Sequence, residues 1–181
     1  MDFTEKTINQ SIIYKGKIVT LRVDDAQLPN HKLAKREVIV HPGGVTIAAL
    51  TDADELLFVR QFRYPYGKVL LEIPAGKLEV GEDPLEAGKR ELREETGASA
   101  QNYINLGVQY PSPGYCDEVL YLYLATDLCF GDANPDEDEF LSVEKIPLDK
   151  AVEMVLAGEI PDGKSQTIIL KIYALRQMGK I

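Results

Sequence analysis

Apolar positions in the first forty residues come as short runs separated by turn formers. "SIIY" (11–14) is followed by Lys15-Gly16, then "IVTLRVDDAQL" (18–28), the turn "PNH", and "KREVIVH" (35–41). Three such runs predict an antiparallel meander, and "HPGG" punctuates its end. From Val45 the pattern changes. "VTIAAL", the turn "TDADE" and "LLFVRQF" predict a hairpin; "VLLEIP" predicts a further strand. The continuous apolar character of "EVLYLYLA" (118–125) predicts a strand buried on both faces. "LDKAVEMVLAGEI" has helical spacing at Ala151, Met154 and Val155, and "SQTIILKIYALRQMGK" reads as a helix opening on Ser165 as N-cap. The expected architecture is α/β, a mixed sheet flanked by helices, with an N-terminal strand subdomain over 1–42 and a main domain over 43–181.

Between these elements lies "GKLEVGEDPLEAGKRELREETGA" (76–98). Asp83, Pro84 and Glu86 form a helix-start signature, and Gly97 is placed to stop the same helix, so 84–96 should be helical. On that helix Glu95 lies about 40° from Glu91 and Glu94 about 60° the other way, one acidic arc within about one turn of rise. Leu85 and Leu92 mark a separate apolar stripe. Like charges at i,i+3 and i,i+4 repel, and a solvated face usually intersperses basic residues. Arg90 can pin Glu94, but no basic residue separates Glu91 from Glu95 on their stripe. A divalent cation between the carboxylates and a phosphate would turn that repulsion into ligation.

Composition narrows the chemistry. With 181 residues, 45% hydrophobic and 27% charged, the chain reads as one globular domain with room for a small appendage. No apolar run is long enough to span a membrane and the N-terminus has no signal-peptide core, so the expected compartment is the cytoplasm. Two cysteines without a CxxC pair and two histidines, His31 and His41, leave oxygen ligands to carry any metal chemistry. A net charge of −9 argues against nucleic acid as a partner, while a small phosphorylated substrate bound through a cation remains compatible. Two motif lookalikes fail: Glu82 replaces the lysine a P-loop requires, and "DANPDEDEFLSV" has Glu137 and Val143 where a calcium loop needs Gly and Glu.

Gly76, Glu82, Arg90, Glu91, Glu94, Glu95 and Gly97, with Leu92 between, match the Nudix box, the one soft position being Ala98. Seven identities at fixed spacing arise by chance on the order of 10⁻⁶ to 10⁻⁵ in such a chain. The sequence thus resembles Nudix hydrolases. "KREVIVHPGG", "VRQFRYP", "LLEIPAGKLE", the acidic "DEDEF" and Pro113, sixteen residues after Gly97, resemble the ADP-ribose pyrophosphatase branch. The resemblance, running from about residue 11 to 175, implies an α/β/α sandwich, Mg²⁺ or Mn²⁺ as cofactor, and hydrolysis of a nucleoside diphosphate sugar, ADP-ribose, to AMP and ribose 5-phosphate. It implies Glu91, Glu95 and the Ala75 carbonyl as metal ligands, Glu82 assisting, and Glu94 held by Arg90. It further implies Glu137 as general base, with Glu139 a further ligand and the alternative base. Arg36 and Arg63 would grip the diphosphate or adenine end, Glu118 the terminal ribose, and Pro113 and Gly114 would shape the sugar pocket. The branch also implies a homodimer with exchanged N-terminal strands. The competing readings are a Nudix enzyme for another nucleotide sugar or a nucleoside triphosphate, and a ligand sensor that kept the fold; a sensor of this kind typically loses box glutamates, and here none is missing.

Overall fold

The computed structural model describes residues 2–134 and 140–181. They form two compact units, one holding the N-terminal strands up to Gly43 together with residues 110–119, the other holding 44–109 and 120–181. In the first unit β1 (Lys6–Lys15), β2 (Thr20–Gln27) and β3 (Leu33–Val40) make the expected antiparallel meander in that order. β1 begins earlier than its apolar run because every one of its residues is exposed, so no buried face marks its start. Residues 110–119 join the unit through backbone bonds from Ile39 N to the Tyr115 carbonyl (2.7 Å) and from Asp117 N to the Ile39 carbonyl (3.1 Å).

The second unit is built from β4 (Gly44–Ala49), β5 (Glu55–Arg63), β6 (Lys68–Glu72), β7 (Ala75–Lys77), α1 (Pro84–Thr96), β8 (Ala98–Gln109), β9 (Leu120–Phe130), β10 (Leu141–Pro147), α2 (Leu148–Leu156) and α3 (Gly163–Gln177). A four-stranded mixed sheet runs β7-β4-β9-β8, with β4 and β9 parallel, and a second sheet runs β10-β5-β6. The apolar runs of β4 and β9 are buried on both faces, as parallel central strands are. Val45, Ile47 and Ala49 of β4 pack with Ala87 and Leu92 of α1, while Ala48 packs with Ile168, Ile169 and Ile172 of α3 and Ala151 of α2. Alternate residues of one strand thus feed two cores, which gives the helix-flanked mixed sheet that the chain pattern predicts and the α/β/α layering that the family resemblance implies.

Two expectations are corrected, and one strand, β8, had no sequence signal. β4 and β5 form no hairpin ladder: apart from a single bridge, Leu50 to Leu56, they lie in different sheets. Both edges of β4 are taken, by β9 and β7, so β5 pairs with β10 and β6 instead. α3 is capped by Asp162 rather than Ser165; the Asp162 carboxylate accepts from Ser165 N at 3.0 Å, and Ser165 lies buried in the first turn. β8 carries a bulge between Asn105 and Gly107, with Gly107 at φ 91°, which disrupts the alternation that would have announced so long a strand.

The helix at the centre of the sequence argument forms as expected. Asp83 Oδ1 accepts from the backbone N–H of Leu85 (2.9 Å) and Glu86 (3.2 Å), and Pro84 opens the helix where no N–H is needed. Gly97 closes it at φ 70°, and a Cβ there would lie 2.4 Å from the Gly131 carbonyl oxygen, so conformation and space both demand glycine. Among the described residues no helix is long and apolar enough to cross a membrane.

Candidate active site

The acidic arc of α1 faces inward. Glu91 is 8% and Glu95 1% exposed, so the reading of a solvated charged face does not hold for them. Burying carboxylates is costly unless they are paired or hydrogen-bonded. Glu95 Oε2 accepts from the Ala75 N–H at 3.3 Å, which ties the helix to β7. Glu91 lies so close to the backbone of Gly76 that a Cβ on that residue would be 1.8 Å from its carboxyl carbon.

Arg90 organises the remaining carboxylates. Its Nε and Nη2 donate to Glu82 (3.1 and 3.2 Å), and its Nη1 donates to Glu94 (3.0 Å) and also to Glu91 (2.9 Å). The contact to Glu94 is the expected one; the contact to Glu91 corrects the expectation that no basic residue serves the Glu91–Glu95 stripe, since the flexible Arg90 side chain reaches the neighbouring position as well. The hydrogen bonds to Glu82 raise the Arg90 pKa, burial opposing them and the Glu91 charge adding to them. In return Arg90, and after it the Glu79 N–H, holds the Glu82 carboxyl below its ordinary value.

This donor set fits a divalent cation. Three carboxylates, Glu82, Glu91 and Glu94, bond one guanidinium, Glu95 is buried on the same arc, and all four offer the hard oxygen that Mg²⁺ or Mn²⁺ takes. Among the described residues no three acidic, imidazole or thiol groups enclose an ion unaided. Glu137 and Glu139, the expected base and further ligand, lie outside the described residues.

Arg63, at the end of β5, donates from Nε and Nη2 to both oxygens of Glu72 at 2.7 Å, a bidentate fork. Glu72 is 1% exposed, and Lys164 also donates to it. Burial pushes the Glu72 carboxyl up, but the Arg63 hydrogen bonds and the Lys164 charge outweigh it, and the pKa ends below the ordinary 4.5. A depressed folded-state pKa contributes stability above the unfolded value that is lost as pH falls through the folded one. Glu72→Gln should therefore be less stable at neutral pH by about 3 kcal/mol, with a smaller further loss between pH 5 and 3 than the parent. Urea midpoints across that range test this; parallel curves for the two proteins would refute it. Sequence reasoning passed over Glu72 and Lys164, although a lone carboxylate in the apolar "VLLEIP" was the available signal.

The other expected residues lie in the first unit. Pro113, Gly114 and Glu118 line a cavity of about 410 Å³ with Val38, Tyr110 and Tyr115. Glu118 Oε1 is 3.6 Å from His41 Nδ1, which in turn accepts from Gly43 N at 3.1 Å. Arg36 is separate from that cavity and donates to both oxygens of Glu5 (2.8 and 2.7 Å).

Comparison with known proteins agrees with this geometry. A family model described as NUDIX domain matches residues 40–167. An ADP-ribose pyrophosphatase of Bacillus subtilis (strain 168) is 42% identical over 163 residues, 89% of this chain and 88% of that protein. A methanol dehydrogenase activator of Bacillus methanolicus is 42% identical over 165 residues, 90% and 89% of the two chains. A crystal structure of an ADP compounds hydrolase superposes with a TM-score of 0.87 over 100% of both chains at 21% identity, a likeness of fold. With the box helix built as described and the match spanning most of its length, the chain belongs to the NUDIX family.

Proposed function

We propose that this protein hydrolyses the diphosphate bond of ADP-ribose to AMP and ribose 5-phosphate, using Mg²⁺ with Mn²⁺ as a substitute, in the cytoplasm. The observation that carries the reading is the buried Glu91–Glu95 pair set against Gly76 and Ala75. The 42% identical pyrophosphatase supports the choice of substrate. Glu91, Glu95 and the Ala75 carbonyl would hold the cation, with Glu82 and Glu139 assisting. When bound, it neutralises charge on the diphosphate and lowers the pKa of the attacking water. Arg90 fixes the orientation of Glu94 and Glu82, and Glu137 takes the proton from water as its oxygen bonds to phosphorus and the P–O bond to the leaving phosphate breaks. Arg63 keeps N–H groups beyond those given to Glu72 for the diphosphate. Glu118, Pro113 and Gly114 receive the ribose, and Arg36 reaches the partner's site in a homodimer with exchanged N-terminal strands. Ile8, Ile12 and Ile13 on β1, each more than half exposed, are the apolar surface that a second chain would cover.

The test is Mg²⁺ with ADP-ribose, ADP-glucose, GDP-mannose, NADH and nucleoside triphosphates, products resolved by chromatography. ADP-ribose should give AMP at the highest kcat/KM; a different best substrate would overturn the pocket roles of Arg36 and Glu118. A second reading follows from the equally similar methanol dehydrogenase activator: the chain raises the activity of a dehydrogenase. Addition to a methanol dehydrogenase assay decides it, and an unchanged rate removes it.

A further inference from the structure

Glu72 is the polar interruption of β6, and it is nearly sealed from solvent. The Arg63 fork already neutralises it, so a second cation on the same carboxylate calls for another reason. Lys164 Nζ donates to Glu72 Oε2, the oxygen that Arg63 Nη2 also uses, and lies 3.0 Å from Asp162 Oδ2. Charges thus alternate along Arg63, Glu72, Lys164 and Asp162. A second tie runs beside the first: Ser165 Oγ donates to Asp162 Oδ2 at 2.5 Å and accepts from the Ile73 N–H at 2.8 Å. The first turn of α3 therefore grips the end of β6 at two successive residues, Glu72 by side chain and Ile73 by backbone.

That strand end leads directly to the site. Pro74 and Ala75 follow, and the Ala75 N–H donates to Glu95. Arg63 itself is 35% exposed at its side chain, and its Nη1 donates to no described residue. We infer that Lys164 is a positioning residue: by sharing Glu72 with Arg63 it fixes the guanidinium so that the unspent N–H groups are held for the substrate diphosphate. The identity of that anion rests on the hydrolase reading above. A guanidinium held on one edge is already oriented when the substrate arrives, so less freedom is lost on binding.

Lys164→Met keeps the apolar stem and removes the charge; Lys164→Arg restores it. The reporter is the Arg63 Nε–H resonance in ¹⁵N-edited NMR, identified by its loss in Arg63→Lys. In Lys164→Met this proton should exchange with solvent about tenfold faster, and KM for ADP-ribose should rise about tenfold with kcat within about threefold, Lys164→Arg reverting both. An unchanged exchange rate overturns the proposal, and so does faster exchange with an unchanged KM. If Lys164→Met does not fold, Asp162→Asn, which keeps a good N-cap and loosens Lys164 from its other end, is read by the same criteria. Should the parent protein leave ADP-ribose intact, the hydrolase reading fails, and the exchange rate alone decides the clamp.

Discussion

Glu95→Gln is expected to leave a folded protein whose kcat on ADP-ribose is about 10³-fold lower, equivalent to about 4 kcal/mol of lost transition-state stabilisation. The amide is the same size as the carboxylate, and its oxygen can still accept from Ala75 N–H, so the contact between α1 and β7 survives. What disappears is a negative charge on a side chain 1% exposed, which solvent cannot replace. With the Ala75 contact kept, the melting temperature should stay within about 4 °C of the parent. The informative result is the combination: a loss of stability together with the loss of activity would mean that Glu95 serves the fold, and activity within about tenfold of the parent would remove it from the metal set.

The elements most legible in the sequence were those whose signals are local. The α1 boundaries follow from Asp83, Pro84 and Gly97, residues that act through their own backbone and cap geometry. The meander was marked by turn residues, and the burial of β9 by an uninterrupted apolar run. Partnership between strands was less legible, because β4 and β5 look like a hairpin until β7 and β9, from further along the chain, occupy both edges of β4. The same division holds in the site. The spacing of Glu91, Glu94 and Glu95 placed them on one arc, and Arg90 was tied to Glu94 correctly. Nothing in that spacing linked Arg63 and Glu72 to Lys164, ninety-two residues beyond Glu72, since only the packing of α3 against the end of β6 brings them together. Long-range ion pairs between elements leave no periodic trace, and a single polar residue in an apolar strand is the most they show.

The second large effect is expected at a residue with no side chain. Gly76 does not need glycine for its dihedral angles, as Gly97 does; it needs the absence of a Cβ. An alanine methyl would fall 1.8 Å from the Glu91 carboxyl carbon and 2.5 Å from its Cγ, far inside contact distance, so the Glu91 side chain must leave its place. Side-chain rotation is softer than displacement of a paired strand, and β7 is held by β4 through Val45 and Gly76. The strain should therefore be relieved by Glu91, which also loses its Arg90 contact, while the sheet stays put. Gly76→Ala is expected to lower kcat by about 10²-fold or more, with a stability loss of about 1 kcal/mol from the disrupted ion pair. Thermal melting beside steady-state kinetics separates the two terms. Unfolding as the main result would mean that the strand yields before the side chain; parental kinetics would mean that Glu91 acts equally well from another rotamer. A collapse of kcat in a folded protein would instead show that the glycine of the box is selected to let a carboxylate approach the backbone.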